Sequence, residues 1–154
     1  MKELTQFELG YVAGIVDGEG CISIMRRVAR RSYGTYHDFT VHVTVGTTTF
    51  ELCERLMQWV GGKTYYPHEI RGNRKPQAYW VITRRGEVRD FLLALQPYLL
   101  IKKEQAKLAL EFCQLGRSIC PDMRANLHGK MMELNHRGVA NETAISQAPV
   151  LTLQ

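Results

Sequence analysis

LGYVAGIVDGEG, residues 9–20, is the stretch on which the reading of the fold turns. Thr5 ahead of it is a helix cap, Glu8 stands three residues on as in a capping box, and Leu9, Val12, Ala13 and Val16 recur at helical spacing. The helix must stop at Asp17-Gly18-Glu19-Gly20. Two acids therefore fall where the helix dipole is negative, an arrangement that costs about 0.3–1 kcal/mol each and calls for compensation. Glu19 together with free carbonyl oxygens of the last turn, such as that of Gly18, forms an all-oxygen set of the kind a hard cation such as Mg²⁺ accepts. The competing reading is a turn whose acids are simply solvated. Gly10, Gly14 and Asp17 share one face of the helix, and small residues at that spacing let a second helix approach closely. If that second helix comes from another copy of the chain, the two acid-bearing ends lie side by side.

Beyond residue 20 the pattern changes period. Residues 21–27 alternate, with Ile22 and Ile24 on one face and Ser23, Met25 and Arg27 on the other. A polar loop containing Gly34 follows, and then Phe39, Val41, Val43 and Val45 alternate with Asp38, Thr40, His42 and Thr44. A helix is expected over 50–60, stopped by Gly61-Gly62. Residues 63–68 and 78–83 read as a hairpin around the basic segment EIRGNRKPQ. Helices are expected over 87–95, 102–115 and 124–136, the last ending at Gly138. The order is α-β-β-α-β-β-α-α: an α+β domain over 1–138, with a four-stranded, mainly antiparallel sheet covered by helices on one side, and a C-terminal tail, 139–154, expected to be mobile.

With 154 residues at 45% hydrophobic and 23% charged, the chain builds one core and is neither disordered, collagenous nor a disulfide scaffold. Cys21, Cys53, Cys113 and Cys120 form no C-x-x-C pair, which argues against zinc-finger and redox readings. No run approaches the ~18 apolar residues of a membrane span, and no leader precedes residue 10, so an intracellular protein with reduced thiols is expected. Lys and Arg number 20 against 15 Asp and Glu, a net charge of +5. The basic residues cluster: Arg26, Arg27, Arg30 and Arg31 near Tyr33 and Tyr36; Arg71, Arg74 and Lys75; Arg84, Arg85 and Arg89. Such clusters suit a polyanion contacted at several phosphates, or else solvated loops.

Residues 9–20 resemble the LAGLIDADG family of homing endonucleases, through the G-x-x-D-G-[DE]-G core at Gly14 to Gly20 followed by an alternating strand. QPYLLIKKEQA, residues 96–106, is similar to the lysine-bearing segment of the single-motif members. The resemblance implies that Glu19 and the Gly18 carbonyl bind a catalytic Mg²⁺, with Ca²⁺ as a non-cleaving substitute, that Lys102 stabilises the scissile phosphate, and that Asp17 holds the helix pair together with Gly10 and Gly14. The family's solvent-ordering Gln at the end of the second strand has no counterpart in residues 45–48, where Thr47 or ordered water is expected in its place. One motif copy implies a two-fold homodimer on a partly palindromic DNA duplex, leaving short cohesive 3′ ends in the service of group I intron mobility.

The outer strand faces then become the reading surface: Ser23, Met25 and Arg27; Asp38, Thr40, His42 and Thr44; Tyr66, His68, Gln77, Tyr79, Val81 and Thr83. Arg30, Arg31, Arg71, Arg74 and Lys75 are assigned to phosphates. Two other readings stand beside this one. The fold can serve as a non-cleaving RNA-binding intron maturase or DNA-binding regulator, against which the retention of Glu19 and Lys102 speaks; a basic RNA-binding domain without symmetry is weaker. His128, Asn135 and His136 have unconvincing spacing for a His-Asn-His nuclease.

Overall fold

A computed structural model describes residues 3–32, 34–66, 75–115 and 121–145, with side chains left undescribed at 29, 31, 35, 36 and beyond 136. Helix α1 (Gln6–Glu19) opens with the expected capping box: the Glu8 N–H donates to Thr5 Oγ1, and the Thr5 N–H donates to the Glu8 carboxylate at 2.8 Å. It buries Val12, Ala13 and Val16 and passes directly into β1 (Gly20–Arg31). That passage requires glycine. A Cβ on Gly20 would lie 2.6 Å from the Val16 carbonyl oxygen, which is backbone and cannot move aside.

β1 pairs with β2 (Gly34–Thr47) in one continuous antiparallel register from Gly20 opposite Val45 to Arg31 opposite Gly34. Helix α2 (Phe50–Val60) leads to the short β3 (Lys63–Tyr65), and β4 (Ala78–Ile82) runs between β3 and β2, giving the order β1-β2-β4-β3 with every neighbour antiparallel. Helix α3 (Arg85–Leu95), a 3₁₀ turn (Gln96–Tyr98), α4 (Lys103–Gln114) and α5 (Pro121–Ile145) complete the chain. Ile22, Ile24, Phe39, Val41, Val43, Val45, Ala78, Trp80 and Ile82 face inward and are buried with Val12, Leu56, Phe91, Leu95 and Phe112 of the helices. At roughly 1.5–3 kcal/mol per buried large aliphatic or aromatic side chain, this face holds helices and sheet together.

Five elements, β1 to β4 and α5, differ in extent from the sequence reading. β1 and β2 extend well past residues 27 and 39, as a ribbon whose last pair is Arg31 with Gly34. Val28 on that ribbon is 59% exposed; neither face there covers a core, so no alternation marks it. β3 and β4 stop short of the expected 63–68 and 78–83. α5 continues through Gly138 to Ile145. Among the described residues, no helix is long and apolar enough to cross a membrane.

Candidate metal centre and nucleic-acid interface

The dipole argument leaves two acids in need of compensation at the end of α1, and the fold supplies it from a segment 85 residues away. One carboxylate oxygen of Asp17 accepts the N–H groups of Leu100 at 2.7 Å and Ile101 at 3.2 Å, and the other accepts that of Lys102 at 2.9 Å. These are the residues leading into α4, whose own N-cap, Lys102, makes no side-chain capping bond. Asp17 thus caps α4 from outside, where a negative charge is favoured. Lys102 returns the favour: its ammonium donates to the main-chain oxygen of Asp17, at the negative end of α1. Burial works against the charged carboxyl, but the N–H groups of Leu100, Lys102 and Ile101 with the Lys102 ammonium outweigh it and hold Asp17 below the ordinary 3.8. The sequence placed Asp17 with the glycines on a helix-pairing face; its carboxylate is instead turned to residues 100–102 within the chain.

The same lock brings Lys102 to the end of α1 that carries Gly18 and Glu19. Both of these are exposed, and Glu19 directly precedes the first residue of β1. Carboxylate and main-chain oxygens are a donor set suited to a hard divalent cation. Among the described residues, no group of three or more His, Cys, Asp or Glu is placed to hold a metal ion. The outward face of α1 is uncovered. Phe7 is 78% and Tyr11 49% exposed, and a Cβ on Gly10, Gly14 or Gly18 would meet nothing within 4 Å. Beside the acid-bearing end, Leu100 and Ile101 are 79% and 72% exposed.

The register assigns the outer face of the sheet. Ser23, Met25 and Arg27 of β1 stand opposite His42, Thr40 and Asp38 of β2, and Thr44 stands opposite Val81 of β4. Tyr79 and Val81 are joined by Tyr65 and Lys63 of β3, their cross-strand partners, which the sequence reading missed. It chose Tyr66, one residue on, and a one-residue slip reverses the face. Tyr66 packs edge-on against Phe50 and donates to Glu54 at 3.2 Å, on the helix side. The signal was present in Thr64, which must sit inward opposite the buried Trp80. Lys75, Gln77 and Thr83 are exposed at the two ends of β4, while His68, Arg71 and Arg74 lie outside the described residues.

Three expected contacts sit differently. Arg30 pairs with Thr35 and shares the parity of Ile22 and Ile24, so its position belongs to the helix-side face of the ribbon; Arg31 pairs with Gly34 at its tip. His42 has the outward parity but is only 6% exposed, with Nε2 2.8 Å from Thr40 Oγ1. Burial, and then the Arg27 charge, push its pKa below the ordinary 6.5, so it is a neutral support under its neighbours rather than a free reading side chain. The third basic cluster is spent internally. Arg84 pairs with Glu87 and Arg89 with Asp90, while Arg85 lies over the Phe112 ring and donates to the Leu115 carbonyl, closing the end of α4.

His128 and Asn135, unpersuasive as nuclease residues, have a clear structural place. Their side chains meet the main-chain oxygens of Ile24 at 2.6 Å and Ile22 at 3.2 Å, sealing the free edge of β1 with α5. A cavity of about 460 Å³ beside β2 is lined by Asp38, Thr40, Thr83, Arg85, Phe112 and Arg124, and not by Glu19 or Lys102. Glu19 is exposed, while the Lys102 ammonium is turned to the Asp17 main-chain oxygen.

No family model matches the sequence, and a search of curated proteins finds no relative. Solved structures do match. The homing endonuclease I-CvuI, crystallised with DNA targets in the presence of Mg and of Ca, is 24% identical over 84% of this chain and 82% of its own, with a TM-score of 0.67. The archaeal intron-encoded homing endonuclease I-Vdi141I, complexed with DNA, is 17% identical over 83% and 84%, with a TM-score of 0.65. The LAGLIDADG homing endonuclease I-SmaMI, bound to cleaved DNA, is 15% identical over 85% of this chain and 46% of its own, again at 0.65. The chain has the LAGLIDADG homing-endonuclease fold.

Proposed function

We propose that the chain is a site-specific double-strand DNA endonuclease that works as a two-fold homodimer. The observation that carries this reading is the Asp17–Lys102 lock, which holds a lysine against the helix end bearing the exposed Glu19 carboxylate, at the margin of an outward-polar sheet. The similar chains solved on DNA support the substrate class. Pairing of α1 with its two-fold mate along Phe7, Gly10, Tyr11 and Gly14 covers the open helix face and brings two copies of Gly18 and Glu19 together.

Glu19 and the Gly18 carbonyl would hold a divalent cation, which when bound activates water and offsets phosphate charge. The Lys102 ammonium, held at the same helix end, stabilises the charge that builds on the phosphate oxygens. In each strand a water oxygen bonds to phosphorus as the bond from phosphorus to O3′ breaks; the water's proton leaves to solvent and O3′ takes one up. Arg27 and the exposed groups of the four strands read base edges, and Lys63 and Lys75 add contacts to phosphates.

The test is incubation of the protein with a randomised duplex library in Mg²⁺ and, separately, in Ca²⁺, followed by sequencing of the ends and of the retained duplexes. Cuts at one family of two-fold-related sites in Mg²⁺ are expected. Glu19→Gln should abolish cutting and leave retention in Ca²⁺ intact. Selective retention by the unaltered chain without any cut in Mg²⁺ would replace the endonuclease by a DNA binder on the same fold.

A further inference from the structure

Resting on the endonuclease reading, the geometry points to Tyr79 as a positioning residue that orders the solvent beside the Glu19 centre. Glu19 directly precedes Gly20, which pairs with Val45; the next residue of β2, Gly46, pairs in turn with Tyr79 of β4. Glu19, the last residue of α1, thus adjoins the end of β1 that lies across from the Val45–Gly46 step, and Tyr79 stands beside Gly46 on the outer face of the sheet.

That face has a gap at Gly46, and the tyrosine ring occupies it. A Cβ built on Gly46 would stand 2.9 Å from Tyr79 Cε1 and 3.2 Å from Cδ1, so the Cδ1–Cε1 edge of the ring crowds the glycine and no larger residue fits there with the ring unmoved. Its hydroxyl donates to Gln77 Oε1 at 2.9 Å, which fixes the rotation of the phenol and leaves the lone pairs of Oη to accept from water. Tyr79 remains 47% exposed, so water reaches it. Thr47, the hydroxyl expected from the sequence to serve this purpose, accepts the N–H of Thr49 at 3.1 Å and shapes the turn into α2.

A fixed acceptor at the strand ends next to the acid holds a water in a constant place relative to the scissile phosphate, and the gain is one of orientation rather than proton transfer. The proton released on attack passes to solvent through that water, and Tyr79 itself is unchanged by the reaction.

The experiment uses duplexes selected by the unaltered chain from the randomised library in Ca²⁺. Single-turnover cleavage in Mg²⁺ and affinity in Ca²⁺ are measured for the unaltered chain, Tyr79→Phe, Gly46→Ala and the double variant. Tyr79→Phe is expected to slow cleavage about tenfold or more, well beyond whatever affinity it loses as one of the side chains facing the duplex. Gly46→Ala, which displaces the ring without removing it, is expected to cause a comparable loss, and none further in the Tyr79→Phe background. Cleavage by Tyr79→Phe at the unaltered rate overturns the assignment, and so does a loss of affinity equal to the loss of rate, which would make Tyr79 a DNA contact only. An unaltered chain that neither retains nor cuts any duplex overturns the endonuclease reading itself, and with it this inference.

Discussion

Replacing Asp17 by Asn keeps an acceptor for one or two of the N–H groups of residues 100–102 but removes the charge that makes those bonds strong. With the site partly open to water, a loss of about 1–2 kcal/mol is expected in denaturant unfolding, and cleavage should fall with it because Lys102 is no longer held. The acid limb gives a separate reading. Asp17 titrates below 3.8 in the fold, so its stabilisation is complete above that value and is lost as the pH falls through the lowered folded pKa. Stability measured from pH 5 downward should therefore fall less steeply in Asp17→Asn. His42 works in a different window. Its folded pKa lies below 6.5 because of burial and Arg27, so the unfolded chain takes up the proton first; stability is full above 6.5 and declines as the pH falls from there to the folded value. His42→Gln should flatten that slope. Lys102→Met is expected to slow cleavage by about a hundredfold, the scale on which one preorganised donor acts, with retention of DNA in Ca²⁺ unchanged.

Among the elements, α5 shows how a helix can be needed by a strand it does not follow. His128 and Asn135 meet the main-chain oxygens that β1 presents on its unpaired side. Removing either as Ala should cost about 1 kcal/mol and raise hydrogen exchange in α5 and along β1, because an exposed edge invites another strand. This place in the fold was invisible in the sequence: two polar residues seven apart on a helix say nothing about which strand edge they will meet. The capping box at Thr5 and Glu8, the glycine at 20 and the alternations in 21–27 and 39–45 were legible because each is enforced locally or by one buried face. Tyr65 and Tyr66 were exchanged because two like residues in succession leave parity to the partner strand. The Glu19 and Lys102 pair could be named from its motif and segment. The reason they lie together, a carboxylate capping a helix begun 85 residues later, could not.

For the molecule as a whole, the open face of α1 yields an unusual prediction. Gly14 is helical with no neighbour near its missing Cβ, so Gly14→Leu should strengthen the isolated helix by roughly 1 kcal/mol and leave the protomer folded. If the chain pairs through α1 as proposed, the substitution should nonetheless shift the protein to monomers in sedimentation equilibrium and end double-strand cutting, since the added side chain occupies the space the second helix needs. A Gly14→Leu protein that remains dimeric would place the two-fold elsewhere on the surface. The lock between Asp17 and Lys102 also has a meaning in time. Its two halves lie 85 residues apart in the chain, and joining them closes a long loop at an entropic cost. A nascent chain that has emerged only through its strands carries the acid without the lysine, as does a copy clipped ahead of α4. On the proposed reading, the genome that hosts this protein is exposed to a cutter only once synthesis has run past that helix and the whole domain has closed.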